Sequence, residues 1–179
     1  MGAAGGTGFA AIQVGKYLGL RDIASASSEA KRAAALAGGA DAAVETGAAD
    51  WRDQVNAANN GKGIDLVFDP VGGDATEMAF RTLGYDGRHL VVGFPAGLTT
   101  LRTNLALVKR ASLVGVEMRG GGIERPEMME RSRAAVQQMA REGLVRPAVA
   151  KRFRLEDYAE AMHAAFSGKE AGRVLLVMD

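Results

Sequence analysis

Apolar positions along the chain switch repeatedly between a two-residue and a 3.6-residue period, and the switches predict short strands alternating with helices. Ile12, Val14, Tyr17 and Leu18 recur at helical spacing, and Gly19 supplies a left-handed stop, so a first helix is expected over 9–18. A strand follows at 23–27, then a helix over 29–37 closed by Gly38 and Gly39, a strand at 42–44 and a helix over 50–58. After the glycines at 61 and 63 comes an apolar strand, 64–68, and Asp74 can cap a helix running to about 83. Glycines at 84 and 87 lead into a strand at 89–92, followed by a helix over 104–109, a strand over 112–118 and a helix starting near Pro126. Met128, Met129, Val136 and Met139 form the apolar stripe of that helix. The last helix carries Glu156, Asp157 and Glu160 in its charged first turns. The pattern is that of an α/β protein, a Rossmann-type doubly wound parallel sheet with helices on both faces.

Composition narrows the function classes. The chain has 179 residues, 47% hydrophobic and 24% charged, enough for one substantial core. Its net charge is +1, with basic residues scattered among acidic ones and few aromatics, which argues against nucleic acid as a partner. No apolar run approaches membrane-spanning length, and no basic stretch precedes an apolar leader, so a cytoplasmic protein with no membrane partner is expected. There are no cysteines, which excludes disulfides and a thiolate zinc site within the chain, and no metal is expected.

Chemistry is concentrated in glycine-bearing loops at strand ends. In residues 2–8, Ala3, Gly5 and Gly8 stand in for a G-x-G-x-x-G turn. The first makes the tight turn, Gly5 lets backbone approach a pyrophosphate, and Gly8 lets helix and strand pack closely. The helix N-terminus then turns free N–H groups and partial positive charge toward the phosphates. Ser27 lies nineteen residues beyond Gly8, where a carboxylate would bind the ribose of NAD. Here Ser27 and Ser28 are followed by Lys31 and Arg32, which suits the 2′-phosphate of NADP(H). Alternatively Ser28 caps the second helix and Lys31 and Arg32 are its solvated face; both readings can hold together. The loops 71–73 and 93–97 are the other candidate edges of a ligand crevice. No independent catalytic constellation is present, and His89 and His163 read as structural or surface histidines. Such a turn normally follows a buried strand, yet only Met1 precedes Gly2, so the first strand is expected to be absent and the turn loosely held.

The segments 2–8, 26–31, 39–41, 69–73, 91–94 and 172–176 occur in the order seen in quinone oxidoreductases, and nearly the whole chain resembles the cofactor-binding half of these medium-chain dehydrogenases/reductases. The resemblance implies a division into an NADP(H)-binding domain, 1–144, and a tail, 145–179, whose strands, 148–153 and 173–178, normally return to a GroES-like catalytic domain that is expected to be missing here. It implies that Ala4, Gly5, Gly6, Thr7 and Gly8 form the pyrophosphate turn, and that Ser27, Ser28 and Lys31 hold the 2′-phosphate end. Val71 and Gly72 would lie beside the nicotinamide ribose, with Gly93 and Phe94 at the nicotinamide. Thr46 stands where some relatives carry a tyrosine, and Asp22 replaces an apolar residue at what is expected to be an exposed strand end. The implied reaction is hydride transfer from NADPH to a quinone or another electron-poor double bond, the isolated chain being inactive. A homodimer along 112–118 is expected, or else residues 174–177 filling the place of the first strand. A stand-alone NADP(H)-binding module and a non-catalytic remnant remain as alternative functions.

Overall fold

The computed structural model describes residues 1–178; Asp179, the last residue of the expected tail, lies outside them. In chain order the elements are α1 (Gly6–Tyr17), β1 (Ile23–Ala26), α2 (Glu29–Ala37), β2 (Ala42–Glu45), α3 (Trp51–Ala58), β3 (Ile64–Asp69), α4 (Ala75–Thr82) and β4 (Leu83–Val91). They continue with α5 (Asn104–Lys109), β5 (Ser112–Gly115), α6 (Arg119–Glu124), α7 (Pro126–Arg141), β6 (Val149–Arg154), a 3₁₀ turn (Leu155–Asp157), α8 (Tyr158–Phe166) and β7 (Arg173–Val177). Every hydrogen-bonded strand pair among the described residues is parallel, as the alternation of strand and helix requires.

Contacts divide the chain into two compact units. The glycine-turn unit comprises Gly2–Glu45 and the chain from Arg146 onward. Its core is built from small side chains, Ala3, Ala24, Ala35 and Ala40 around Ile12, so helix backbones can lie close to the strands. Ser28 caps α2, its Oγ accepting from the Lys31 N–H at 3.3 Å. Asp22 is half-buried where an exposed strand end was expected: its carboxylate lies against Gly15 of α1, and burial raises its pKa, with Lys16 opposing and Asp41 reinforcing that shift. The tail strands pair with each other, β7 beside β6 through the α8 crossover, so residues 174–177 do not substitute for a first strand. A partner twenty residues away along the chain costs little loop entropy, and that favours β6 as the neighbour.

The strand-loop unit comprises Met1 and Thr46–Val145, with sheet order β3-β4-β5. The glycines at 84 and 87 were expected to separate helix from strand. Instead α4 ends at Thr82 and Leu83, fully buried, already pairs with Ile64. The pairing then slips to Leu66↔Arg88, so residues 84–87 form an irregularity inside β4, with Asp86 in the left-handed region at φ 62°. The expected strand over 112–118 stops at Gly115, and the glycine-rich stretch after it forms the unanticipated α6. On α4, Glu77 receives the guanidinium groups of Arg102, at 2.5 and 3.2 Å, and Arg81, at 3.0 and 3.1 Å. Those bonds, Arg102 first, hold the Glu77 carboxyl down to about 2 from its ordinary 4.5.

A carboxylate held below its ordinary pKa binds fewer protons folded than unfolded, so its stabilisation is present above the ordinary value and lost as pH falls through the depressed one. The urea midpoint should therefore fall on acidification from pH 5 to pH 2.5, the window set by Glu77. Glu77→Gln should make that decline shallower, most visibly at low salt because Arg102 is largely exposed. An identical decline in E77Q and the parent chain would refute this assignment.

Candidate functional site

The glycine turn is anchored, contrary to the looseness expected of it. The Ala3 N–H donates to the Ser25 carbonyl of β1 at 3.1 Å, Gly5 N–H closes a turn onto the Gly2 carbonyl at 3.0 Å, and Ala3 and Ala4 are buried. α1 begins at Gly6, three residues before the apolar periodicity suggested, because Gly6–Gly8 give the helix pattern no apolar signal. The first intrahelical bond runs from Phe9 N–H to the Gly5 carbonyl at 2.8 Å, which leaves the N–H groups of Gly6, Thr7 and Gly8 without partners inside the helix.

Each glycine of the turn has its own reason. A Cβ on Gly8 would stand 2.3 Å from the Gly2 carbonyl oxygen and 2.8 Å from the Ala3 Cα, so α1 packs backbone against backbone at that point. A Cβ on Gly5 would meet nothing nearer than the Gly2 oxygen at 3.4 Å. Gly5 and Thr7 are exposed, so the open side of the turn faces away from the core. At Gly6 a Cβ would collide with the Arg173 guanidinium, whose Nε is 2.7 Å from that position. Arg173 was visible in the sequence only as part of the 172–176 motif; the contact joins residues 167 positions apart, and no local pattern signals it.

The 2′-phosphate candidates lie in the same unit. Ser27 and Ser28 are exposed just after β1, and Ser28 spends its hydroxyl on the α2 cap. The Lys31 ammonium donates to the Gly168 carbonyl at 2.5 Å, while Arg32 faces Glu45 at 3.9 Å. The cap reading of Ser28 therefore holds, at a position beside the residues expected to meet a 2′-phosphate. His163 lines an open concavity of about 630 Å³ in the tail with Lys151, Glu160 and Glu170, where Lys151 already pairs with Glu170 at 2.6 Å.

In the strand-loop unit, Val71, Gly72, Gly93 and Phe94 sit on two loops that follow β3 and β4 and are bonded to each other. Ala96 N–H donates to the Val71 carbonyl at 2.9 Å and Gly73 N–H to the Gly97 carbonyl at 2.9 Å. Gly72 and Gly73 adopt φ 73° and 66°, and a Cβ on Gly72 would stand 2.8 Å from the Phe94 Cα. Phe94 is 62% exposed. Beneath them Asp69 is buried: its Oδ1 accepts from the Val71 and Gly72 N–H groups, both at 3.0 Å, and its Oδ2 from the Thr76 hydroxyl at 2.8 Å and His89 Nε2 at 3.1 Å. Burial alone would raise the Asp69 pKa. The bonds from His89, Gly72, Thr76 and Val71 outweigh it and hold the carboxyl well below its usual range. The reading from sequence passed over this network, because a strand-end Asp and a mid-strand His show no shared pattern.

The profile of the zinc-binding dehydrogenase family matches residues 6–139. The quinone oxidoreductase-like protein 2 of Bos taurus is 33% identical over 176 residues, 97% of this chain and 50% of that protein. Among solved structures, an NAD-dependent alcohol dehydrogenase superposes with a TM-score of 0.83 at 29% identity, over 98% of this chain and 49% of its own. The quinone oxidoreductase of Thermus thermophilus, solved also as its complex with NADPH, superposes with a TM-score of 0.85 at 25% identity, over 99% and 56%. The chain thus spans about half the length of the curated relatives it matches.

The two turn glycines separate packing from access. Gly8→Ala should cost about 1–3 kcal/mol in urea unfolding, the usual penalty for overpacking against atoms that cannot swing away. Gly5→Ala, at φ −75° and with open space before it, should unfold within about 0.5 kcal/mol of the parent chain. Equal losses from the two substitutions would contradict the geometry of the turn.

Proposed function

The chain belongs to the zinc-binding dehydrogenase family, within the quinone oxidoreductase branch of the medium-chain dehydrogenases/reductases, and from that premise we propose that it binds NADP(H) as the cofactor module of a reductase. The observation that carries the proposal is the Arg173 guanidinium lying against Gly6, the first residue of α1. A helix N-terminus is a partial positive charge, so a cation placed there is disfavoured by roughly 0.3–1 kcal/mol at an exposed site. A pyrophosphate between the two reverses the sign, accepting from the Gly6, Thr7 and Gly8 N–H groups on one side and from Arg173 on the other.

Preference for NADPH over NADH rests on Ser27 and Lys31, with no carboxylate where the adenosine ribose would be held. The Lys31 ammonium gives one of its three N–H groups to the Gly168 carbonyl, which leaves donors for the charged acceptor of a 2′-phosphate. The loops at Val71–Gly72 and Gly93–Phe94 are proposed to meet the nicotinamide end. Bound NADPH would supply the hydride, and the proposed acceptor is a quinone or another electron-poor double bond. This chain's residues bind and orient; acceptance of hydride requires a substrate held at reacting distance, for which these loops provide one wall, so the isolated chain should show negligible turnover.

Zinc does not fit these residues. The chain has no cysteine, and among the described residues no group of three His, Asp or Glu could hold a metal ion.

A homodimer is also proposed, along β5. All four residues of this edge strand are exposed, Leu113 by 50%, and Leu107 and Val108 of the adjacent α5 are exposed as well. In size-exclusion chromatography at micromolar concentration the chain should elute at about twice its 18.7 kDa. A Leu113→Lys variant should elute as a monomer, and a monomeric parent chain would dismiss the dimer.

Titration calorimetry should show NADPH binding at least about tenfold tighter than NADH, one charge-assisted contact being worth roughly 1.5–3 kcal/mol. Arg173→Ala should weaken both nucleotides about equally, whereas Lys31→Ala should weaken NADPH and leave NADH unchanged. NADH binding as tightly as NADPH would reject the assignment of Ser27 and Lys31, and binding indifferent to R173A would reject the cradle.

A further inference from the structure

Asp69 joins the end of β3, the loop after it and the first turn of α4. Its four bonds consume both oxygens: two loop N–H groups on Oδ1, and the Thr76 hydroxyl and His89 on Oδ2. An ionised carboxylate only accepts, so His89 must present an N–H at Nε2. The ring is wholly buried in mid-β4 and stacks on Phe80, centroids 6.0 Å apart. Its Nδ1 has no hydrogen-bond partner among the described residues. With its proton on Nε2 the ring presents only a lone pair at Nδ1. Both partners, the tautomer and the ring plane are therefore fixed by packing.

What this holds in place is a loop shape that glycine adopts readily and other residues do not. Gly72 and Gly73 are both left-handed, and their N–H groups point in different directions: Gly72 inward to Asp69, Gly73 outward to the Gly97 carbonyl. The Val71 carbonyl is in turn fixed by the Ala96 N–H, which ties the loop bearing Phe94 to the same carboxylate. If the carboxylate rotates, all of these groups lose their reference. The Thr76 hydroxyl and His89 both bind Oδ2, and His89 alone approaches from a neighbouring strand, so it sets the rotation.

We propose that His89 is a positioning residue that acts through Asp69 to set the two loops bearing Val71, Gly72 and Phe94, and thereby the nicotinamide end of the cofactor. The assignment of that end rests on the function proposed above; the loop-setting itself does not.

Two measurements on the full chain separate these claims. In the chain without nucleotide, histidine ¹⁵N spectra should show His89 as the Nε2–H tautomer. Amide exchange at Val71 and Gly72 should accelerate about tenfold in His89→Leu, the effect expected of one lost charge-assisted hydrogen bond, while amides of β1 and β2 exchange as before. His89→Gln, which can place an N–H near the lost Nε2, should restore most of the protection. With nucleotide, H89L should bind NADPH about tenfold more weakly and adenosine 2′,5′-bisphosphate unchanged, and H89Q should recover.

The opposite tautomer, or loop amides in H89L that exchange as in the parent chain, would overturn the proposal. So would equal losses for NADPH and the bisphosphate, which would mark a general loss of stability. A parent chain that binds neither nucleotide would reject the proposed cofactor function, and loop exchange alone would then judge the role of His89.

Discussion

The structure of the glycine-turn unit depends on one close approach: the backbone of α1 at Gly8 against the backbone of Gly2 and Ala3. No side chain fits there, so the helix can begin immediately after the turn and start at Gly6 with its N–H groups facing out. The small-residue core follows from the same requirement, because Ala3, Ala24, Ala35 and Ala40 let backbones come near each other where larger side chains would prop them apart. Ala3 completes the anchorage by bonding to β1. The anion site proposed for this turn would rely on backbone and on helix polarity more than on side chains.

Side-chain charges then adjust what backbone provides. Arg173 adds a full positive charge beside the helix N-terminus, and Lys31 rests on a neutral carbonyl with N–H donors to spare. The strand-loop unit uses the opposite device. A single buried carboxylate, Asp69, gathers two loop amides, a hydroxyl and an imidazole, and its low pKa is the thermodynamic trace of those four donors outweighing desolvation.

The features legible in the sequence were those carried by local pattern. Alternating periods gave the α/β class, Ser28 announced the α2 cap, and Gly5 and Gly8 marked the turn, since each of these depends on residues within a few positions of one another. Helix and strand limits moved where glycine blurs the pattern: α1 starts earlier, β4 absorbs residues 84–87, and α6 forms from a glycine-rich stretch for which no element was expected. Arg173 against Gly6, Lys31 on Gly168 and His89 on Asp69 join residues 167, 137 and 20 positions apart, and only the fold brings them together. The pairing of β6 with β7 was missed for a different reason, the expectation that both would seek a partner elsewhere.

The central claim is that Gly6, Thr7 and Gly8 present a pyrophosphate cradle closed by Arg173. The most direct test follows the backbone amides of the whole chain in ¹H–¹⁵N spectra as NADPH is added, with the Arg173 side-chain Nε–H observed in the same titration. The account predicts saturable downfield shifts of the Gly6, Thr7 and Gly8 amides together with the Arg173 Nε–H, all with one dissociation constant. NADPH binding that leaves these four resonances in place while others move would contradict it.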